Sequence, residues 1–416
     1  MANGFSKEER VAFEDILEGF SDAMVEAKQV AKFGTAAAMM ERANDTIWRP
    51  QPYIMTSQDR VVGSAVSFQD VEQLAVPATI DYQKNVPWKM TALELRDALQ
   101  EDRLGKSAKD RLASDVNTAV RDVASMQGTL VVAVSTAAGD YDDIALCEAL
   151  MDEQGIMPGD RSMMLNPRDY VGMAGNLAAR TNMVGKPTTA YEKSFVGDVA
   201  NFDTFKTGGG KMITAAAGSS LTIATNGAQV QFAPAARSGN ANVDNRTQSV
   251  TVSATTGIVA GDCFTVAGIN AVHHITKQDT AQLKTFRVMS VTNGTTMVIS
   301  PPMIGANSTP TDAELAYKNV EVVSTSATAA IVFLNSVSAQ ANPFWSRESI
   351  EILPAGYAIG AGAGLDVIKG TTDQGIEMVM TKSMSNTLVQ EYTLDARWGV
   401  VNCNPEMNGI LLFGQS

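Results

Sequence analysis

The chain has 416 residues, with 32 Lys and Arg against 45 Asp and Glu, so its formal charge is −13. An apolar content of 45% and a mean hydropathy of −0.03 are typical of a globular chain that buries a large core, and they exclude a collagen-like or wholly disordered polymer. The acidic balance argues against a protein that clamps nucleic acid, because neutralising phosphates requires a basic excess. At roughly 150 residues per domain, the length indicates two or three domains.

The N-terminus lacks the basic-then-apolar layout of a secretion signal, and no apolar run approaches the ~20 residues that cross a bilayer. We therefore expect a protein that stays in cytoplasm-like conditions and enters no membrane. Cys147, Cys263 and Cys403 are single and far apart. This spacing predicts buried free thiols rather than a zinc site or a redox pair.

Residues 6–31 predict an amphipathic helix, because Ser6 and Glu9 have the spacing of a capping box and an apolar stripe follows at helical period. The stripe consists of Phe13, Ile16, Leu17, Phe20 and Met24. Two interpretations are open. Either the stripe packs on the protein's own core, or it docks on a neighbouring molecule.

Residues 45–87 contain four prolines, which exclude a long helix. We expect a long protruding β-arm in which three short segments are extended: Ile47–Arg49, Arg60–Val66 and Ala78–Tyr82.

The strongest helix signal covers residues 91–126, where apolar side chains recur at helical period. Its packing positions are Leu112, Val116, Val120 and Val123. A continuous helix of this length would measure about 54 Å and would act as a structural spine. Gly105 is expected to dent or interrupt it.

The rest of the chain changes character twice. Residues 128–220 alternate strand-like and helix-like pieces, which indicates an α+β or α/β domain. Residues 225–345 are rich in Val, Thr, Ser and Gly with frequent turns, and they contain six basic and six acidic residues. This neutral segment predicts an inserted all-β domain, a small barrel. Residues 346–416 return to mixed strands and are expected to complete the domain begun before 225.

A search for chemistry finds no catalytic constellation and predicts no enzyme, no cofactor and no metal site. The two histidines, His273 and His274, are adjacent, and neighbours in a strand point to opposite faces, which favours a surface loop over a metal site. Asp140, Asp142 and Asp143 could bind a hard cation, but acidic residues at a helix start are expected as caps. No Walker loop, Rossmann fingerprint or nucleophile elbow is present.

Several strings resemble the major capsid proteins of tailed phages with the Hong Kong 97-like fold, and most closely the coat proteins of short-tailed Salmonella phages (P-22-type). They occur in family order along nearly the whole chain: Thr46-Ile47-Trp48-x-Pro50, Leu93–Asp97, Leu165-Asn-Pro-Arg-Asp-Tyr170, Asn242-Val-Asp-Asn-Arg246, Val252-Ser-Ala-Thr-Thr-Gly257, Asn342-x-Phe344-Trp345 and Trp398-Gly399-Val400. The stretch from Asn242 to Gly257 is the most specific.

The resemblance implies an α+β Hong Kong 97-like fold with an inserted β-barrel-like domain. The implied divisions are an N-terminal arm (1–45), an extended loop (46–88), a peripheral domain with the spine helix (89–127), an axial domain in two parts (128–224 and 346–416) and the insert (225–345). In this branch a loop of the insert reaches a neighbouring capsomer, and it corresponds here to about residues 233–248. Its charged members, Arg237, Asp244 and Arg246, are therefore candidates for salt bridges between capsomers, the alternative being solvated loop charges.

The resemblance also implies the function. The chain would self-assemble into an icosahedral shell of pentamers and hexamers around double-stranded DNA, without tight or sequence-specific DNA binding. Assembly would take place in the host cytoplasm with a scaffolding protein and a portal at one vertex, and the product would be the virion capsid. No local sequence supports covalent cross-linking, so a non-covalent shell is predicted. The alternatives are a nanocompartment shell around a protein cargo and a monomeric binding protein that uses the β domain.

Overall fold

The computed structural model describes residues 7–34, 46–91 without 54, 56, 58, 64, 67 and 69, 98–179, 196–225 without 207, 229–305, 309–323, 326–357, 366–384 and 389–415. The α-helices in these ranges are α1 (Lys7–Ala23), α2 (Ala98–Gln127), α3 (Tyr141–Glu153), α4 (Pro167–Ala178) and α5 (Asp312–Tyr317). The strands of the first 225 residues are β1 (Ala31–Lys32), β2 (Ile47–Pro50), β3 (Ala75–Ala78), β4 (Tyr82–Thr91), β5 (Leu130–Ala133), β6 (Arg161–Leu165), β7 (Asp198–Val199), β8 (Phe202–Lys206), β9 (Met212–Ile213) and β10 (Thr222–Ala224). Those that follow are β11 (Arg237–Ser238), β12 (Ala241–Asn242), β13 (Gln248–Thr251), β14 (Cys263–Val272), β15 (Asp279–Asn293), β16 (Thr296–Ser300), β17 (Val320–Val322), β18 (Thr328–Phe333), β19 (Ala339–Gln340), β20 (Asn342–Ser346), β21 (Ile350–Ala355), β22 (Asp366–Thr371), β23 (Glu377–Met384), β24 (Val389–Asn402) and β25 (Asn408–Leu412).

The chain divides into two compact units, and the first consists of Met1–Ile47, Pro77–Val123 and Ile350–Val401. Its six-stranded sheet has the order β1-β21-β24-β23-β22, with β4 pairing along β24. Aromatic residues lie opposite each other across the β4–β24 pair: Trp88 stacks on Tyr392 and Tyr82 stacks on Trp398, with ring centroids 5.5 and 5.7 Å apart. Such cross-strand aromatic pairs fix the register of neighbouring strands.

Helix α1 is shorter than the predicted 6–31 because a side chain of α2 caps its end. Asn117 donates from Nδ2 to the carbonyl of Ala23 (2.9 Å), the last residue of α1, and accepts from the backbone N–H of Glu26 (3.3 Å). These bonds replace the next helical turn, and a short 3-10 turn, Ala27–Gln29, follows. The predicted capping residue Ser6 lies outside the described residues.

Gly105 does not interrupt the long helix, contrary to the prediction. Helix α2 runs unbroken from Ala98 to Gln127, and a Cβ at Gly105 would lie 2.6 Å from Cδ1 of Ile16 in α1. The missing side chain therefore provides room for a core residue of the neighbouring helix, which sequence periodicity cannot reveal. The predicted start of the helix, residues 92–97, lies outside the described residues.

The predicted β-arm is only partly extended. Ile47–Arg49 lies within β2, but residues 60–63 form no strand and turn at Gly63, which has a φ of 94°. Residues 79–81 separate β3 from β4, so Ala78–Tyr82 is not one strand either. Instead β4 is a ten-residue edge strand that includes Pro87. Proline is tolerated there because an edge strand does not need every N–H for the ladder.

The second unit consists of Trp48–Val76, Ala124–Ser349 and Asn402–Ser416. Its mixed six-stranded sheet has the order β5-β25-β20-β6-β8-β7, with β5–β25 and β6–β8 parallel. Asp140 immediately precedes helix α3; its N–H donates to the carboxylate of Asp143 (3.3 Å), and its own carboxylate accepts from Asn176 (3.0 Å). These acidic residues cap the helix, as the capping interpretation predicted.

The insert is a closed barrel within the second unit. Its strands follow the order β10-β18-β14-β15-β16-β13, and a bridge between Ile223 and Val252 joins the two ends. The interior is apolar and centres on Phe264, Phe286 and Ile299, all fully buried. The predicted class, α+β with an inserted all-β barrel, is confirmed.

Two domain boundaries differ from the prediction. The barrel closes by pairing β10 with β18, so its strands span 222–333 rather than 225–345. Residues 350–401, predicted to belong with the axial segment, cluster instead with α1 and most of α2, because β24 pairs with β4 and β23 along most of its length. Of the predicted axial segment 346–416, only residues 346–349 and 402–416 cluster with the sheet that contains β5. This division depends on strand pairing between distant segments.

All three cysteines are buried and free, as predicted. None of the helices in the described ranges combines the length and the apolar character needed to cross a membrane.

Candidate subunit interface

The predicted intercapsomer loop forms a short exposed hairpin from β11 and β12. Arg237 lies opposite Asn242 in the register, and Gly239 in the turn has a φ of 62°, which favours glycine. Residues 237–241 are all exposed. Arg237 has no charged partner among the described residues, so its guanidinium is available to another molecule.

Two fixed contacts hold the base of this hairpin. Asn245 is buried; it accepts from the N–H of Ala235 (3.2 Å) and donates to its carbonyl (2.9 Å). The N–H of Ala236 donates to the carboxylate of Glu72 (2.6 Å). Because the base is tied on both sides, the exposed tip is presented in a defined direction.

Asp244 and Arg246 pair with each other. The Arg246 guanidinium donates to the Asp244 carboxylate from Nε (3.0 Å) and Nη2 (2.7 Å), and its Nη1 donates to the carbonyl of Asn402 (2.8 Å). This two-pronged geometry is the strong form of an ion pair. Two of the three predicted intercapsomer charges therefore stabilise the hairpin base, and only Arg237 points outward.

The N-terminal stripe packs inside its own unit. Phe13, Ile16, Phe20 and Met24 are buried, and Leu17 is half-buried. A Cβ at Gly370 in β22 would meet Leu17 at 2.6 Å and Phe13 at 3.0 Å, so α1 lies directly against that strand. The structure thus places the stripe as the own-core interpretation expects.

Polar contacts add to this anchoring. Lys382 of β23 donates to Glu9 (2.5 Å), and Ser21 donates to Asp373 (3.2 Å). The exposed face of α1 carries Glu14, Asp15, Glu18 and Asp22.

The four packing positions of α2, Leu112, Val116, Val120 and Val123, are all buried. Arg121, one residue away from the stripe, lies 3.7 Å from the buried carboxylate of Glu26. Helix α2 thus organises the first unit through both its apolar stripe and its polar flank.

A buried ion pair joins the barrel to the C-terminal segment of the second unit. Lys284 of β15 is fully buried; it donates to Glu406 (2.5 Å) and to the side-chain oxygen of Gln154 (3.3 Å). Asn319 also donates to Glu406 (3.1 Å). Burial alone would raise the pKa of Glu406, but Lys284, His274 and these hydrogen bonds together hold that pKa below its usual value.

Sequence reasoning missed this pair because 122 residues separate its members. The available signal is weak: Lys284 and Arg287 are two cations three residues apart in a strand-like stretch that also contains Phe286 and Val288. Arg287 is also buried and donates to the carbonyl of Gly128 (3.2 Å).

His273 and His274 lie in the turn between β14 and β15 and are partly buried. Within the described part of the chain, no group of three or more His, Cys, Asp or Glu side chains could hold a metal ion.

Comparison with known proteins identifies the class. The family model described as P22 coat protein, gene protein 5, matches residues 1–414. Among solved structures, the chain is 41% identical to the CUS-3 coat protein I-domain, covering 28% of this chain and 96% of that chain with a TM-score of 0.23. A chain from Mycobacterium phage Che8 is 8% identical over 94% of this chain and 90% of its own, with a TM-score of 0.45. The virus-like particle from Pyrococcus furiosus is 9% identical over 96% and 98%, with a TM-score of 0.37.

The protein is of the structural, shell-forming class of phage proteins. It belongs to the P22 coat protein family, because the family model covers almost its entire length. The resemblance to this coat protein family drawn from its sequence motifs is confirmed. The chain is a major capsid protein whose copies assemble into the icosahedral shell of a virion, and a nanocompartment shell is not favoured.

Proposed function

We propose that pentamers and hexamers of this chain form a shell that encloses packaged double-stranded DNA. We further propose that assembly takes place in the host cytoplasm with a scaffolding protein and a portal at one vertex. The observation that carries this proposal is the family match over residues 1–414. The charge supports it: outside residues 225–345 the chain has 26 basic and 39 acidic residues, and an acidic container does not retain the DNA that must enter and leave it.

The test is expression of the full chain alone and with the scaffolding protein of its phage, followed by negative-stain microscopy. Regular closed particles of uniform size are expected with the scaffolding protein, and particles from infected cells should contain DNA. A protein cargo would instead support the nanocompartment alternative. A stable monomer under both conditions would contradict assembly altogether.

We also propose the domain roles implied by the family: an N-terminal arm (1–45), an extended loop (46–88), a peripheral domain, an axial domain and an insert. The closed barrel supports the assignment of the insert. The separate sheet of the first unit supports the assignment of the peripheral domain.

We infer that the exposed hairpin contacts a neighbouring capsomer through Arg237. Its support is the contrast among the three charges: Asp244 and Arg246 neutralise each other at the base, whereas Arg237 is exposed at the tip. An acidic group on the neighbour would complement it.

Replacing Arg237 by Glu is expected to leave the subunit folded, with an unfolding midpoint like that of the parent, because the side chain is exposed. Shells should form in lower yield and dissociate at lower urea, as repulsion replaces attraction at every copy of the contact. Size-exclusion chromatography of shells and circular dichroism of the subunit separate the two effects. The control is Arg246→Gln, which should lower the unfolding midpoint of the subunit itself. Shells of Arg237→Glu with unchanged urea resistance would contradict the role.

The shell is expected to be held by non-covalent contacts. Purified particles boiled in detergent should therefore migrate on denaturing gels as a single 44.1 kDa band. A ladder of higher species under reducing conditions would contradict this prediction and indicate cross-linking between subunits.

A further inference from the structure

The only two histidines of the chain meet a loop of the second unit outside the barrel. The N–H of His274 donates to the carbonyl of Gln154 (2.8 Å), just after α3. Beside it, the ring of His273 occupies the space that a Cβ at Gly155 would fill, at 2.4 to 2.6 Å. Gly155 also has a φ of 76°, so this position favours glycine for two reasons. The barrel thus rests on the α3 loop through the turn that carries both histidines.

The two imidazole side chains are held in different ways. Nδ1 of His273 accepts hydrogen bonds from the N–H groups of Ile275 and Thr276, both at 3.2 Å. His273 therefore holds the turn in shape as a hydrogen-bond acceptor. Nε2 of His274 is sealed from solvent and has no hydrogen-bond partner among the described residues.

The charged groups that act on His274 come from three segments of the second unit. They are Glu406 from the C-terminal segment, Lys284 from β15, and Lys277 and His273 from the turn itself. Glu406 is already paired with Lys284, and Lys318, beside Lys277, pairs with Glu321. A protonated His274 would therefore add a buried cation to a cluster in which the nearby carboxylates are engaged.

We propose that the turn carrying the two histidines is an acid-sensitive clasp that seats the barrel on the α3 loop and loosens when His274 is protonated. The clasp needs no ligand and no change elsewhere in the chain. Its role would be to let mild acid loosen this turn of the barrel from the α3 loop while the rest of the subunit stays folded.

The direction of the pH effect on the clasp, and the pH range in which it occurs, follow from the pKa of His274. Burial, followed by the nearby lysines, lowers its pKa from 6.5 to about 4, although Glu406 opposes this shift. When the pKa of a histidine is lower in the closed state than in the open state, the stabilisation is complete above pH 6.5 and is lost as the pH falls toward 4. Between pH 7.5 and 5.0 the opening equilibrium of the turn should shift by roughly 30-fold toward the open form.

The test is hydrogen exchange of the full chain at pH 7.5 and 5.0, corrected for the intrinsic pH dependence of exchange. Amides of residues 268–283 should lose protection by roughly 30-fold at pH 5.0. Strands β13 of the barrel and β23 of the first unit serve as internal references and should change little. Circular dichroism at both values confirms that the chain remains folded.

Two variants distinguish the contributions of the two histidines to the pH response. His274→Gln, which does not titrate, should remove most of the difference between pH 7.5 and 5.0. His273→Asn, whose Oδ1 can still accept both backbone N–H groups, should keep that difference. The wild-type comparison stands by itself should either variant fold poorly. A wild-type change below about threefold, an equal loss of protection in β13, or an unaltered pH response in His274→Gln would each overturn the proposal.

Discussion

Removing one partner of the buried pair Lys284–Glu406 should destabilise the subunit by about 3–5 kcal/mol, because the remaining charge stays buried without compensation. Lys284→Met removes the cation while keeping the length of the side chain, and Glu406→Gln removes the anion while keeping the acceptor for Asn319. We expect a large drop in the urea midpoint for each single variant, measured by circular dichroism on the soluble chain.

The double variant Lys284→Met with Glu406→Gln should recover most of the lost stability, since neither charge is then left alone. Arg111→Met is the matched control, because it breaks an ion pair of α2 in which Arg111 is 70% exposed. That change should cost less than about 1 kcal/mol. A double variant as unstable as the sum of the two singles would show that the pair contributes in some other way.

Deleting residues 1–30 should abolish regular shells. The fold gives the reason: the deletion removes four fully or nearly fully buried side chains of the stripe and uncovers α2 and β22. Each large apolar side chain lost from a core costs about 2–5 kcal/mol, so the loss of four is comparable to the whole ~5–15 kcal/mol that stabilise a typical domain. Aggregated protein is therefore expected rather than soluble, assembly-defective subunits, as judged by negative-stain microscopy and sedimentation.

Point variants separate folding from docking. Phe20→Ala should lower the free energy of unfolding by about 3–5 kcal/mol, because Phe20 is fully buried. Val11→Ser lies on the same helix but is 51% exposed, and it should change stability by less than about 0.5 kcal/mol. Normal particles from the truncated chain would refute the structural role. A soluble, folded truncation that fails to assemble would favour docking on a neighbour instead.

Local patterns in the sequence determined a large part of this protein. The stripes of α1 and α2 are periodic because a helix repeats every 3.6 residues, so their buried faces were predictable residue by residue. The alternation and turn residues of the insert predicted an all-β domain, and α3 was predictable from its acidic cap. The motif order along the chain was sufficient for the family resemblance.

Only the tertiary structure decided which distant segments meet. The grouping of residues 350–401 with α1 and most of α2 and the ion pair between Lys284 and Glu406 both depend on contacts between segments far apart in the chain. Gly105 shows the same limit at one residue: within the sequence it weakens a helix, but in the fold it makes room for Ile16. Periodicity records which face of an element is buried, whereas strand pairing and side-chain packing determine what that face is buried against.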